Sequence, residues 1–407
     1  MKTFAQSVQE SKNTHMTHVE DAVIYGGVTG AREAINALRS LRDMVSGAHK
    51  GSVSVKWDGA PALFAGIDPS DGVFFVAKKG IFNKNPMVYK TPQDVDNDIK
   101  SGDLNVKMKQ ALKYLPELGI KGVVQGDFLY SQSDLSTDDI EGNKYVTFHP
   151  NTIVYAVPAE TKQSKEILKS KMGIVWHTTY TGSTFESMSA KFGVDTTKFK
   201  KTANVWSQDA MLRDMTGFSM SVKDTAEVNQ HLTDAGKIFN KISSTTLKTL
   251  EDNRPIAQMI ETFNNSFVRK GVIIKDTDKH VTNLMWHINM KFQKEIDKRK
   301  TAKGKGAQVM KRDDILAFFS PANKSSLKLM FDLQRHLVLA KLKLIQVLGK
   351  LNSTKTFIKT RSGYKTTDHE GYVAIDTLGS GALKIVDRME FSHNNFSDHV
   401  LKGWQKV

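Results

Sequence analysis

Near the start of the chain Val53, Val55 and Trp57 alternate with Ser52, Ser54 and Lys56, the two-residue period of a strand with one buried face, and Asp58-Gly59 ends it. Lys56 is therefore expected at a strand end. The same period predicts strands at Ala62 to Ala65 and, after the turn Pro69-Ser70-Asp71-Gly72, at Val73 to Ala77, as antiparallel neighbours of the first. Ahead of them Ile35, Leu38, Leu41, Met44 and Val45 recur at helical steps, giving a helix capped by Thr29 and ending near Val45. A helix at Leu104 to Leu115, a strand at Gly122 to Tyr130 and a strand at Thr147 to Pro158, closed by its proline, follow.

From about residue 160 the pattern turns helical, clearest at Val228 to Leu250 and Leu327 to Leu348, with strands only at Gly173 to Thr179 and Gly271 to Lys275. The stripe Leu327, Met330, Phe331, Leu337, Val338, Leu344, Ile345 and Leu348 reads as core packing before it reads as a partner-binding face. Strand patterns return at Thr356 to Lys359, Glu370 to Ile375 and Ala382 to Val386. A strand-rich beginning and end around a helical middle predicts one discontinuous α+β domain, 1–160 with 352–407, interrupted by a mainly helical insertion at 161–351.

Composition narrows the partners. The 407 residues carry a net charge of +15, an excess suited to a polyanion such as nucleic acid. Ribosomal association or plain solubility would give the same number. Cysteine is absent, which excludes disulfides, thiolate metal sites and cysteine nucleophiles and fits a reducing cytoplasm. Met1 to Gln6 lacks the apolar core of a secretion signal, no segment reads as a membrane span, and no repeat stands out, so a cytoplasmic protein is expected.

Lys56-Trp57-Asp58-Gly59, Val124-Gln125-Gly126-Asp127-Phe128, Tyr155, Glu370-Gly371-Tyr372-Val373 and Leu383-Lys384 occur in that order. The series resembles the covalent nucleotidyltransferase superfamily of ATP-dependent DNA ligases, RNA ligases and mRNA capping enzymes, and is most similar to a bacteriophage RNA ligase, which would work in the host cytoplasm. The resemblance covers the two ends of the chain and leaves the middle unmatched. It implies a nucleotidyltransferase domain of two packed antiparallel sheets, with Lys56 as the nucleophile that takes AMP from ATP. An attacking amine must be neutral, so its pKa is expected to be lowered by burial and a nearby cation, a role that suits Lys384, which would also hold the α-phosphate. Asp58 would order the turn beside the nucleophile and Gly59 would let the nucleotide approach the backbone.

Mg²⁺ or Mn²⁺ would be held by Glu370 and Asp127, hard oxygen ligands, Asp127 being shorter than the family's usual glutamate. Tyr155 matches the adenine-stacking position, or is a buried structural tyrosine. Lys78 and Lys79 stand where the family contacts ribose, and either could meet nucleic-acid phosphate instead. Arg269 to Lys275 has the Gly-apolar rhythm of the metal strand, but Lys270 would repel the cation that Glu370 attracts. Val386 occupies the place of the family's second lysine, leaving Arg388 or a lysine from the insertion to compensate. Lys294 to Arg312, with eight basic and two acidic residues, reads as a loop that tracks phosphates or as a solvated linker. His149, His177, His287 and His369 show no metal-ligand spacing and read mostly as structural; His369 adjoins Glu370.

These implications together give an RNA-ligase-like enzyme acting on nucleic acid with 5′-phosphate and 3′-hydroxyl ends. A DNA nick-sealing ligase, an mRNA guanylyltransferase and a non-catalytic nucleic-acid-binding protein with the same fold are the alternatives. Too little chain follows Lys384 for the oligonucleotide-binding barrel of DNA ligases and capping enzymes.

Overall fold

A computed structural model describes residues 18–47, 51–212, 219–350, 354–376 and 381–405. The strands in chain order are β1 (Gly51–Lys56), β2 (Ala62–Ile67), β3 (Phe74–Ala77), β4 (Val123–Ser131), β5 (Ser136–Ile140), β6 (Asn143–Phe148), β7 (Ile153–Pro158), β8 (Met172–Thr181), β9 (Ser189–Phe192), β10 (Val205–Asp209), β11 (Met211–Leu212), β12 (Lys355–Thr360), β13 (Gly363–Thr366), β14 (Gly371–Asp376) and β15 (Gly381–Val386). They form three sheets in a mixed α+β architecture: β11-β1-β14-β15, β10-β8-β4-β2-β3 with β9 beside β8, and β13-β12-β7-β6-β5. All pairings are antiparallel except β10 with β8. Two sheets were expected from the sequence, and the third arises because 147–158 folds as the hairpin β6–β7 and adds β12 from the far end of the chain.

The two ends of the chain pair twice, β1 with β14 and β7 with β12. β1 does not neighbour β2. Beyond Lys56 the chain crosses to the second sheet, where the Ala60 N–H donates to the Phe128 carbonyl at 2.9 Å and the Phe128 N–H to the Pro61 carbonyl at 3.0 Å. β8, inside the stretch expected to be inserted, is the central partner of β4. The mainly helical part therefore begins at the helix Val222–Phe239 rather than at residue 161.

The stretch 228–250 is two helices, Val222–Phe239 and Ser244–Asp252, because Ser243 caps a new start with its hydroxyl on the Thr246 N–H. Gly271 to Lys275 is no strand. Gly271, at φ +66°, turns the chain out of the helix Arg254–Val268, and the Val272 N–H folds back onto the Phe267 carbonyl at 3.0 Å. The helix Gly27–Val45 starts two residues ahead of Thr29. Its Gly30 lies so close to the preceding turn that a Cβ there would come within 2.3 Å of the Ala22 carbonyl oxygen.

The apolar stripe of the helix Pro321–Gly349 is core. Leu327, Met330, Phe331, Leu337, Leu344 and Leu348 pack in one cluster with Leu38, Leu41, Val53 and Val55. This helix also brings Lys341 to Glu20, both Nζ contacts at 2.8 Å, while Arg388 reaches Asp21 at 2.9 Å and Glu20 at 3.3 Å. These ties fix the helical part against the C-terminal strands. Among the described residues no helix is long and apolar enough to cross a membrane.

Candidate functional site

The register of β1 against β14 puts Lys56 opposite Gly371, so Glu370 comes directly beside the Lys56 side chain. The Lys56 ammonium donates to Glu370 Oε2 at 2.5 Å, joining residues 314 positions apart. One pair further along, Ser54, Val373 and Lys384 stand opposite one another on β1, β14 and β15. Residues two apart share a face of a sheet, so Lys384 projects on the same side as Lys56. Val386 is opposite Gly371 and buried. The position where the resemblance implies a second lysine is thus a buried valine. Arg388 and Lys341 do not replace it, being bound to Glu20, Asp21 and Asn265.

A cavity of about 240 Å³ opens in front of this pair, walled by Lys56, Lys79, Gln125, Asp127, His177 and Tyr180 among others. Glu370 and Lys384 are not on its wall. Asp127 comes from β4 and His177 from β8; His177 Nε2 is 3.8 Å from Asp127 Oδ2, and its Nδ1 is 2.8 Å from Thr178 Oγ1. Tyr180 donates its hydroxyl to Gln125 Oε1 at 2.8 Å. Of the two adjacent lysines only Lys79 reaches the cavity; Lys78 is paired with Asp98 at 2.7 Å.

Three residues named in the sequence serve the frame instead. Asp58 is buried and accepts from Asn151 Nδ2 at 2.6 Å, the Thr152 N–H at 2.8 Å and the Ile153 N–H at 3.1 Å, tying the end of β1 to the start of β7. Gly59 makes room for protein, since a Cβ there would lie 2.5 Å from the Cβ of Asp127. Tyr155 is fully buried, its hydroxyl accepts the Asp58 N–H at 2.6 Å, and its ring packs 4.6 Å from Trp57 and 5.5 Å from Phe148. Neither face is open to a base, so the buried structural reading of Tyr155 holds. His369 is likewise sealed beside Trp57 and Tyr155, and burial pushes it down to about 4.

The electrostatics correct one expectation. Burial pulls the Lys56 amine down, but the Glu370 and Asp127 carboxylates more than offset this and hold it above its ordinary value. Glu370 is pushed up to about 7, by burial first, with Lys56 opposing and Asp58 adding to the rise. Lys384 is the lowered amine, through burial and then the Lys56 charge, with Arg388 and Lys341 contributing against Glu370. Lys56 is thus held as a cation beside its carboxylates.

Among the described residues no group of three or more His, Asp or Glu converges on a metal position. Glu370 and Asp127 both act on Lys56 as carboxylates, and such hard oxygen donors would fit a divalent cation if phosphate oxygens and water completed its shell. The sequence singled out Lys56, Lys79 and Asp127 on the wall but missed Gln125, His177 and Tyr180 in that role. Only the register brings them in: Val175 pairs with Asp127, and the shift between Gln125 and Gly126 leaves His177 unpaired beside them on β8.

No curated protein and no solved structure matches the chain significantly. A protein-family model does match, over residues 13–399, and the chain accordingly belongs to a family of unknown function (DUF6267).

Proposed function

We propose that this chain is an ATP-dependent polynucleotide ligase of the RNA-ligase kind, working through a lysyl-AMP on Lys56. The observation that carries the reading is the contact of Glu370 with Lys56, a lysine that lines a cavity, with Asp127 and Lys384 acting on the same lysine. A strand-end lysine held by a carboxylate from the far end of the chain is a nucleophile under restraint.

In the proposed reaction, ATP enters with its phosphates towards Lys56. A divalent cation held by Glu370 and Asp127 would supply positive charge to the phosphate oxygens. Once Glu370 is engaged there, burial and the Lys384 cation both favour the neutral amine, and the Lys56 proton passes to solvent. The Nζ–phosphorus bond forms as the bond to pyrophosphate breaks, with Lys384 offsetting charge that develops on the α-phosphate. AMP then passes to the 5′-phosphate of a polynucleotide, and a 3′-hydroxyl attacks that phosphate and expels AMP.

Incubation with α-labelled ATP and Mg²⁺ tests this directly. The expected result is a covalent label that disappears in Lys56→Ala; no label, or a label that survives the substitution, would overturn the mechanism. GTP run in parallel identifies a guanylyltransferase, and nicked DNA against single-stranded or nicked RNA identifies the substrate.

A further inference from the structure

Between Trp286 and Arg312 the chain carries nine Lys and Arg residues against two acidic ones, Glu295 and Asp297. The stretch expected to be a loop is instead a helical hairpin, the second half of the helix Thr277–Asp297 followed by the helix Ala302–Phe318, which Thr301 caps. The first helix buries Phe292 and Ile296 here, and the second buries Phe318 alone, so most of the hairpin faces water.

In this stretch the ion pairs are Lys298 with Glu295 and Arg312 with the flanking Asp313. Lys291, Lys294, Arg299, Lys300, Lys303 and Lys305 are exposed and form none among the described residues. Large apolar groups are exposed on the first helix as well. Trp286 is 65% exposed and Met290, one turn on, 41%, with Lys294 a turn further. His287 between them is lowered, by burial first and then by the Lys291 and Lys294 charges, a sign of the local positive potential.

An exposed indole among unpaired cations is the arrangement that binds unpaired bases, the ring stacking on a base and the cations following the phosphates. A lipid surface would require a continuous apolar face. Here Asn289 and Gln293 interrupt it. We infer that this hairpin is a docking site for single-stranded nucleic acid, with Trp286 as the stacking platform and the cations of its turn on the phosphate backbone. The inference extends the ligase reading by giving the polynucleotide a grip, yet it stands on charge and exposure away from Lys56.

The test uses the full chain without ATP or divalent cation and a fluorescein-labelled single-stranded RNA, with single-stranded DNA and duplex controls of equal length. Replacing Lys300, Lys303 and Lys305 together by Ala is expected to weaken binding at least about tenfold near physiological salt and to reduce the log–log salt slope by about 2. Trp286→Ala is expected to weaken single-strand binding about tenfold. Both variants change exposed side chains and keep the wild-type thermal unfolding. Unchanged single-strand affinity in both variants, or tighter binding of duplex or of anionic vesicles, overturns the site. Adenylation of Lys56, measured without nucleic acid, proceeds in both variants, so failure of the docking site and failure of the lysine chemistry are read separately.

Discussion

Two lysine–glutamate pairs join distant parts of this chain, and they hold their glutamates in opposite directions. Glu20 is contacted by Lys341 through both carboxylate oxygens and by Arg388 as well, with Lys341 only 1% exposed. Burial raises Glu20, but the two cations together overcome it and hold the carboxyl well below the usual range. Glu370 has one close cation, Lys56, whose side chain is 31% exposed, and a neighbouring Asp58 carboxylate, so burial prevails and the group stays near 7. Two cations make a fastening; one makes a contact that a ligand bearing its own charge can open. The difference separates a pair that holds the helical part in place from the pair on which the proposed chemistry would act.

The largest expected effect is on stability at the first pair. Lys341→Ala leaves Glu20 buried with Arg388 alone and should cost about 3–5 kcal/mol in chemical denaturation. Lys56→Ala at pH 6 should change stability by about 1 kcal/mol or less, because Glu370, near 7 and raised further without Lys56, is already mostly protonated and leaves little unpaired charge. Equal losses from the two substitutions would erase the distinction.

The pH dependence sharpens the same comparison. Glu370 is raised from 4.5 to about 7, so the folded state keeps its proton longer than the unfolded chain. Its contribution is fully present below pH 4.5 and is lost as pH rises through 7. Glu20 is lowered, so its contribution is present above pH 4.5 and is lost on further acidification. Denaturation of Glu370→Gln and Glu20→Gln beside wild type at pH 4, 6 and 8 should give differences that run in opposite directions; slopes of one sign would refute the contrast.

At Tyr155 the expected effect is also small: Tyr155→Phe removes the hydroxyl that accepts the Asp58 N–H and should cost about 1 kcal/mol. Adenylation at saturating ATP should be unchanged in that variant. A selective loss of adenylation would return Tyr155 to the nucleotide site.

Much of the frame was legible because period and breakers are local. Val53 to Trp57 announced β1, the Glu370 and Ala382 runs announced β14 and β15, and the Leu327 stripe announced a core helix. The basic stretch was misread because its apolar face is only Phe292, Ile296 and a few partly buried residues, too thin a stripe for helical periodicity to stand out beside so much charge. Wall residues such as His177 and Gln125 carry no motif, since a cavity is defined by which strands happen to face each other.

By itself the sequence determined the strand that ends at Lys56, the order of the residues around it, the positive charge and the absence of thiol chemistry. Only the tertiary structure decided that Glu370 would cross 314 positions to meet Lys56, that Lys56 would be held as a cation, and that Gly59 and Tyr155 would serve packing. The physical reason is that alternation and turn chemistry are properties of neighbouring residues, whereas register, burial and the balance of charges around one amine depend on segments that only folding brings together.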